Sequence, residues 1–261
     1  MFIITSRSTK NIAYTASDPL NRADVSSKLA ARLLGRLLAV TLTALLGLAC
    51  LAADASELAA SKVAPFFSGY KGCFVLLDLN NRKYSRYNGA LCSVRLSPCS
   101  TFKIFNALAG LDCSALSGAD HVIKWDGTKR WRDAWNRDQT LQSAVKESAV
   151  WYFQEVARLI GAEAMQKYLS AVGYGNEDMS AGLTEFWLAK SLQISADEQV
   201  DFLRRLYLEQ LPFSKSSMAT VKKLILVGES PLGTLYGKTG SDCRNGKWIL
   251  GWFVGFVVHD G

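Results

Sequence analysis

The chain has 261 residues, of which 49% are hydrophobic and 20% charged, and its net charge is +7. This apolar content can outweigh chain entropy, which excludes a disordered protein, and a single long apolar run excludes a membrane protein with several spans. Only two histidines occur, His121 and His259, and neither has an acidic or cysteine motif beside it. The shortage disfavours serine–histidine–aspartate and histidine–zinc chemistry, so a hydrolase with this sequence would need a lysine or carboxylate base. The small basic surplus forms no cluster, which argues against a nucleic-acid partner.

The N-terminal part carries the pattern of a signal peptide. Residues 37–53 are uncharged and mostly apolar, basic residues precede them, and a small-residue sequence ending at Ala55 follows. This order predicts export, cleavage near Ala55 and a periplasmic protein with no stable membrane association after cleavage. An uncleaved anchor and lipid attachment at Cys50 are the alternatives. The true translation start stays open, because the segment before the apolar run is long for a signal peptide.

The predicted export implies an oxidising compartment, in which disulfides persist. Five cysteines follow the signal peptide, so at least one is left over from pairing within the chain, and the absence of a CxxC pair argues against a structural zinc site. A strand over 72–79, a turn near Asn81 and a return strand from Tyr84 to Tyr87 are predicted from the apolar and turn residues. This hairpin brings Cys73 close to the region of Cys92 and allows a disulfide, although the sequence leaves its formation open.

The middle of the chain predicts helices. An apolar run from Phe102 to Leu111 follows Pro98, and two further helices near 146–160 and 162–172 each end in a glycine. Ser195 opens a capping box that begins another helix. No repeats or low-complexity segments interrupt this helical block.

The C-terminal part predicts strands again. Thr234 to Thr239 is typical of a strand, Ser241 to Gly246 of a turn, and Trp248 to Val258 is apolar almost without alternation. Such a strand is buried on both faces, as in a sheet covered by helices. The order of strands, helices and strands predicts an α/β sandwich with an all-helical insertion.

The first candidate for catalysis is Ser100-Thr101-Phe102-Lys103. A serine in the first turn of an apolar helix lies near the positive end of the helix dipole, and a spacing of three residues places Lys103 on the same face. A lysine among apolar neighbours has a lowered pKa and can activate a hydroxyl. An N-cap serine beside a surface lysine is the alternative interpretation of this short motif.

Two more motifs follow. In Lys238-Thr239-Gly240 the lysine supplies charge, the threonine a hydroxyl, and Gly240 lets a ligand approach the strand edge. A phosphate loop over 233–239 is rejected because the spacing between its glycines is one residue short and a strand follows it. Ser148-Ala149-Val150, at the start of the predicted 146–160 helix, is a helix cap when taken by itself.

Together these motifs resemble the class D, or oxacillinase-type, serine β-lactamases. The S-x-x-K, S-x-V and K-T-G elements occur in the order of that family, with Tyr174-Gly175-Asn176 and Trp187-Leu188 between the second and the third. The resemblance covers roughly residues 70–258. It implies the fold shared by serine β-lactamases and penicillin-binding proteins, an antiparallel sheet covered by helices, with a helical domain inserted. The expected units are an N-terminal extension with the signal peptide (1–55), an α/β domain (56–97 plus 195–261) and the helical domain (98–194).

The resemblance implies hydrolysis of penicillin-type β-lactams, with Ser100, Lys103, Ser148 and Lys238 as the catalytic residues. Ser100 would be the nucleophile that opens the β-lactam amide. Lys103 would react with carbon dioxide, supplied as bicarbonate, and the carbamate would act as general base in acylation and deacylation without any metal. Ser148 and Lys238 would form the proton and charge network. The backbone N–H groups of Ser100 and Ser241 would form the oxyanion hole.

The supporting residues are implied in the same way. Trp187 would hold the carbamate through its indole N–H, which can only donate. Val150 would keep the pocket dry, Leu188 would line it, and Thr239 would help to hold the substrate carboxylate. Whether the protein forms a homo-oligomer stays open, as does any substrate beyond penicillins.

The chain departs from the family pattern in two places. It stops at Gly261, where the family continues with a strand, a helix and an arginine that binds the substrate carboxylate. We therefore expect a fragment or a damaged variant, in which the strand from Trp248 to Val258 gains an unpaired edge and activity is in doubt. Cys99 lies beside the nucleophile, and we assign it a structural role.

Three other protein classes share some of these motifs. A β-lactam sensor domain is acylated without turnover, and a penicillin-binding transpeptidase usually carries S-x-N, which Val150 breaks. Class A β-lactamases need a glutamate motif that is absent here, and metallo-β-lactamases need more histidines. These comparisons favour a hydrolase over a sensor or a transpeptidase, while an inactive fragment stays an alternative.

Overall fold

The computed structural model describes the backbone of residues 2–8 and residues 62–259 in full. The predicted signal peptide, its cleavage site and Cys50 lie outside the described residues. Eight strands are described: β1 (Phe2–Ser8), β2 (Tyr70–Asp78), β3 (Lys83–Tyr87), β4 (Val122–Ile123), β5 (Gln139–Thr140), β6 (Leu226–Ser230), β7 (Gly233–Arg244) and β8 (Lys247–Val258). The described α-helices are α1 (Gly89–Cys92), α2 (Lys103–Asp112), α3 (Leu141–Glu147), α4 (Val150–Ile160), α5 (Ala162–Val172), α6 (Ala196–Tyr207) and α7 (Lys215–Leu224). Within these ranges, no helix is long and apolar enough to cross a bilayer.

A six-stranded antiparallel sheet forms one part of the structure, with the order β3-β2-β1-β8-β7-β6. The predicted β2–β3 hairpin and the long β8 strand are confirmed. The expectation that β8 has an unpaired edge is wrong, because β1 pairs with it and also with β2. At Thr5, for example, the neighbours are Cys73 of β2 and Trp252 of β8. A central position satisfies the backbone groups on both sides of a strand.

The β7–β8 hairpin is longer than the sequence predicts. The residues from Ser241 to Arg244, expected as a turn, continue strand β7 and pair with β8, with a bulge between Asp242 and Cys243. The turn itself is confined to Asn245 and Gly246, which both have positive φ. Two residues in this conformation match the twist of an antiparallel hairpin, which allows the ladder to extend to the turn.

The predicted helices are present, with one boundary displaced. The helix expected at 146–160 is two helices, α3 and α4, because Ser148 at the C-terminal cap of α3 has a φ of +56°. The helix at 162–172 and the capping box at Ser195 are confirmed. The run after Pro98 begins as a 3-10 turn, Cys99–Phe102, before it becomes α2. This turn presents Ser100, whereas an α-helix starting earlier would enclose it.

The core lies between the sheet and the helices. Helix α2 is buried along most of its length and packs against α4 and α7, while α6 packs on β2 and β8. On the other face of the sheet, Phe74, Leu235 and Phe253 form a second cluster with Val63 and Phe67. Strand β8 therefore contributes to apolar clusters on both of its faces, which explains its unbroken apolar sequence. The 3-10 turn and the first residue of α2 lie where the sheet meets the helices, beside β7 and β8.

Candidate active site

Ser100 and Lys103 form the centre of the site. Ser100 is half-buried in the 3-10 turn, and Lys103 is the first residue of α2 with only 1% of its surface exposed. The Nζ atom of Lys103 lies 2.8 Å from the Oγ atom of Ser100. The predicted arrangement of the two side chains on one face is therefore present, and the alternative of a surface lysine is wrong.

The residue before the nucleophile is buried and has an unusual backbone. Cys99 has a φ of +49°, a conformation that a residue other than glycine adopts at a cost in free energy. Burial raises the pKa of its thiol to about 11. The thiol stays protonated near neutral pH and is 3% exposed, so Cys99 packs rather than reacts.

Apolar surroundings favour the neutral form of Lys103. Its Nζ lies 5.5 Å from the centre of the Phe153 ring, and Val150, half-buried at the start of α4, packs against the same core. Burial lowers the pKa of Lys103 well below its usual value, and the positive charge of Lys238 lowers it further. A neutral amine within hydrogen-bond distance of a hydroxyl can accept its proton.

Lys238 lies on the other side of this centre, on β7. It is 6% exposed, and its Nζ donates to Ser148 Oγ at 3.1 Å and to the Thr239 carbonyl oxygen at 3.0 Å. The left-handed backbone at Ser148 ends α3 and turns its hydroxyl toward β7. Burial, followed by the charge of Arg132, lowers the pKa of Lys238 to about 7. Lys238 and Ser148 therefore form a second lysine–serine pair that can exchange a proton near neutral pH.

Gly240 brings β7 against the nucleophile turn. A Cβ atom at this position would lie 2.8 Å from the Pro98 carbonyl oxygen and 3.0 Å from the Thr101 nitrogen. The space beside Gly240 is therefore filled by the backbone of the turn that carries Ser100, while the approach of a ligand to this strand edge stays a prediction. Thr239 and Ser241, on either side of it, are exposed. Their exposure leaves both residues available to a molecule bound beside Ser100.

Trp187 is fully buried and stacks on Phe102, with ring centroids 5.3 Å apart. Within residues 62–259 its indole Nε1 has no hydrogen-bond partner. An unpaired buried donor is costly, so it indicates an acceptor that binds beside it. Leu188, the next residue, is half-buried against the core.

The loop that carries Trp187 is fixed by the predicted Tyr174-Gly175-Asn176 motif. Gly175 has a φ of +60°, and a Cβ atom there would lie 2.0 Å from the Gln193 carbonyl oxygen. The Asn176 side chain donates to the Ser191 carbonyl oxygen and accepts from the Gln193 N–H. The motif thus closes the two ends of the loop and sets the position of Trp187.

Two residues that support the site were not predicted from the sequence. Ser97 donates to the Trp187 carbonyl oxygen and accepts from the Ala189 N–H, each at 2.9 Å, which ties the loop to the nucleophile turn. Arg132 forms an ion pair with Glu147 at 3.1 Å and acts on Lys238 through its charge. Their only sequence signals were one serine near the S-x-x-K motif and one arginine in a charged segment. Within the described ranges, no group of three side chains has the ligands for a metal ion.

The two buried lysines predict that stability depends on pH. Lys238 has a folded pKa of about 7, whereas the unfolded chain binds this proton up to pH 10.5. The unfolded state thus binds more protons across this window, and the free energy of unfolding rises with pH. We expect Lys238→Met to reduce this slope by up to about 1.4 kcal/mol per pH unit. Denaturant unfolding between pH 7.5 and 10 measures the slope of the unfolding free energy against pH. Lys223→Met, at an exposed position, is the control. Equal slopes in all three proteins would contradict the lowered pKa of Lys238.

With the geometry known, the chain can be compared with known proteins. It matches the penicillin-binding protein transpeptidase domain family over residues 72–261. It is 47% identical over 191 residues to the probable β-lactamase YbxI of Bacillus subtilis, covering 73% of this chain and 71% of that protein.

Two solved structures also resemble the chain. The class D β-lactamase BAT-2 has a TM-score of 0.68 and 41% identity, with 74% of this chain and 87% of that chain covered. The C-terminal domain of the penicillin receptor BlaR from Bacillus licheniformis has a TM-score of 0.65 and 37% identity, with 70% and 80% covered. These similarities confirm the predicted fold of serine β-lactamases and penicillin-binding proteins. The motifs, the fold and these relatives together place the chain in the class D serine β-lactamase family.

Proposed function

We propose that this protein hydrolyses the β-lactam amide of penicillin-type antibiotics by acylation and deacylation of a serine. The observation that carries the proposal is the 2.8 Å contact between Ser100 Oγ and a buried Lys103 Nζ of lowered pKa. The class D β-lactamases named above support the choice of substrate and of reaction. The matched family also supports a β-lactam as the ligand.

In the first step Ser100 Oγ attacks the carbonyl carbon of the β-lactam. The hydroxyl proton moves toward Lys103, the carbon–oxygen bond forms, and the amide carbon–nitrogen bond breaks. The ring nitrogen then takes a proton from the Lys238–Ser148 pair, in which Nζ and Oγ lie 3.1 Å apart. The backbone N–H groups of Ser100 and Ser241 stabilise the negative oxygen, since Gly240 holds the two segments in contact.

Deacylation needs a base that remains at Lys103. We propose that its neutral amine takes up carbon dioxide with loss of a proton, because carbon dioxide reacts with an amine only when the nitrogen lone pair is free. A carbamate at that position would supply a general base for both acylation and the attack of water. Trp187 Nε1 would donate to it, which gives this buried group an acceptor. Val150 excludes water around it, and Leu188 lines the pocket.

The substrate side of the site is formed by β7. The exposed Thr239 hydroxyl and the positive charge of Lys238 favour the carboxylate that penicillins carry beside the ring nitrogen. Lys238 has a pKa of about 7, so its charge, and with it this attraction, decreases as the pH rises above 7. Binding of substrate at low concentration should therefore weaken above that pH.

Turnover of a penicillin by the purified full-length chain, with bicarbonate present, tests the proposal. Intact mass is measured during and after the reaction. We expect turnover and an adduct on Ser100 that disappears when the substrate is consumed. A lasting adduct would instead favour a sensor, the alternative suggested by the likeness to the penicillin-receptor domain. Neither turnover nor adduct would mean that this chain does not form a working site.

The indole N–H of Trp187, which has no hydrogen-bond partner in the described part of the chain, leads to a separate prediction. Trp187→Phe keeps the ring stacked on Phe102 but removes the donor, so activity should come to depend on added bicarbonate. We expect a loss of about 10–100-fold without bicarbonate and partial recovery with it, the cost of one lost charge-assisted hydrogen bond. Steady-state rates across a bicarbonate series measure this.

Trp151→Phe is the matched control for that experiment. Its indole Nε1 already donates to the Trp135 carbonyl oxygen at 2.9 Å, so its loss affects packing and not the base. The bicarbonate dependence of Trp151→Phe should equal that of the unmodified protein. If Trp187→Phe behaves in the same way, Trp187 does not hold a carbamate.

We propose periplasmic export with cleavage near Ala55, on the basis of the apolar run at 37–53. Cleavage there also removes β1, so the exported protein would have to hold β2 and β8 without the strand between them. N-terminal sequencing of the protein from a periplasmic extract tests this. A new N-terminus near residue 56 is expected, and an intact N-terminus in the cytoplasmic fraction would overturn it.

A further inference from the structure

Two buried cysteines lie together at a distance from the active-site serine. Cys73, near the start of β2, points with Val75 and Leu77 into the main core, and Cys92 ends α1. Both side chains are fully buried in the same apolar cluster, and the Cys73 side chain is the first cause of the raised pKa of the Cys92 thiol. The acylation and deacylation steps use neither of them.

The fold itself brings the two thiols together. Asn88 ends β3 with a φ of +55°, and its Nδ2 donates to the Gly72 carbonyl oxygen at 3.0 Å. This turn lays α1 over the β2–β3 pair. The Cys92 Sγ then lies 3.4 Å from the Tyr87 carbonyl oxygen and 3.6 Å from that of Phe74. Phe74 follows Cys73 in β2 and pairs with Tyr87, so these two contacts hold Cys92 against the part of β2 that carries Cys73.

We infer that Cys73 and Cys92 form a disulfide that fixes α1 on β2. Cys92 Sγ lies 3.6 Å from the carbonyl oxygen of Phe74, the residue after Cys73, and a disulfide requires such close approach of the two backbones. The bond would close a loop from residue 73 to residue 92 and so restrict the unfolded chain. The segment after α1 runs through Pro98 to the Ser100 turn, so the bond anchors the entry to the catalytic turn.

The chemistry is thiol–disulfide exchange with a disulfide oxidant, such as oxidised glutathione or an oxidoreductase of an oxidising compartment. One cysteine thiolate attacks the oxidant, which forms a mixed disulfide and releases one thiol. The second cysteine attacks the mixed disulfide and releases the second thiol. The protein loses two hydrogen atoms, and the oxidant gains them as two thiols.

The bond should form while the chain folds. The hydrogen bond to Cys73, together with burial, raises the pKa of the Cys92 thiol, and in the folded state neither thiol is exposed. Buried protonated thiols exchange slowly. Once formed, the bond should be reduced only when α1 separates from β2.

A peptide map of the full-length chain tests the inference. The protein is refolded in oxidised glutathione, alkylated without reduction and digested with trypsin. Cleavage after Lys71, Arg82, Arg86 and Arg95 places Cys73 in peptide 72–82 and Cys92 in peptide 87–95, and it leaves Cys99 in a third peptide. We expect the first two peptides to be linked, at the sum of their masses less two hydrogen atoms. Alkylated Cys73 and Cys92 in separate peptides would overturn the inference.

Thermal unfolding of the purified protein with and without a small-molecule reductant provides the second measurement. Reduction should lower the melting temperature of the unmodified protein by about 6–12 °C, from the loop-closure effect in a domain of this size. Cys92→Ser should not respond, whereas the control Cys113→Ser, at an exposed position, should respond like the unmodified protein. An equal response in all three proteins would also contradict the bond. Neither measurement uses a β-lactam, so the result is independent of the proposed function.

Discussion

Ser100→Ala is expected to remove both penicillin turnover and the covalent adduct. The variant lacks the only hydroxyl that lies 2.8 Å from the buried Lys103 Nζ in the described structure, so no acyl bond can form. Loss of a catalytic serine typically reduces turnover by at least about 10³–10⁴-fold. The half-buried position of Ser100 in a 3-10 turn means that losing one oxygen atom should leave the fold unchanged.

Turnover and intact mass after incubation with penicillin measure this effect. Ser93→Ala is a suitable control, because Ser93 lies seven residues earlier, is exposed and donates only to the Ala90 carbonyl oxygen. It should keep full activity and the transient adduct. An adduct on the Ser100→Ala protein would assign the nucleophile to a different residue, with Ser148 the first to examine.

Lys103→Ala should produce the second largest effect, the loss of deacylation. Without an amine at this position no base remains beside Ser100, so water cannot be activated and any acyl-enzyme that forms persists. We expect turnover to fall by about 10³-fold or more, on the scale of general-base catalysis combined with the slower acylation. Intact mass should show a lasting adduct after long incubation with penicillin.

The stability of a second variant, Lys103→Met, separates the catalytic effect from a structural one. Lys103 is almost completely buried, and burial lowers its pKa because the charged ammonium form loses its water. Burying this polar side chain therefore costs folding free energy. Replacing it with methionine, which fills the volume, should therefore raise the melting temperature while turnover is lost. Lys223→Ala, at an exposed position, should change neither. Normal turnover by Lys103→Ala would exclude Lys103 as the base.

The local elements were predictable from the sequence because their signals are local. The capping box at Ser195 and the glycine that ends α5 satisfy helix ends with groups only a few residues away. The Ser100–Lys103 spacing also depends on a single turn. The β2–β3 hairpin is equally local, because the backbone N–H groups of Asn80 and Asn81 in its turn donate to the Asp78 carboxylate.

The features that were not predicted depend on contacts between distant segments. Gly240 lies against the Pro98 carbonyl oxygen, which is far away in the sequence. Ser148 was expected at the start of one helix, but its left-handed backbone ends α3 and directs its hydroxyl to Lys238 on β7. Strand pairing also depends on distant segments, because the sequence of β1 does not indicate that β2 and β8 are its neighbours.

By itself the sequence determined the elements, the motifs and the family resemblance, since each of these depends on residue type and on spacing within a few turns. The tertiary structure decided the electrostatics of the site. Only packing shows that Lys103 and Lys238 are both buried, that Trp187 has an indole N–H without a partner in the described chain, and that Arg132 acts on Lys238. A pKa and an unsatisfied donor depend on the solvent and charges that surround a group in space, and these come from segments that the order of residues does not bring together.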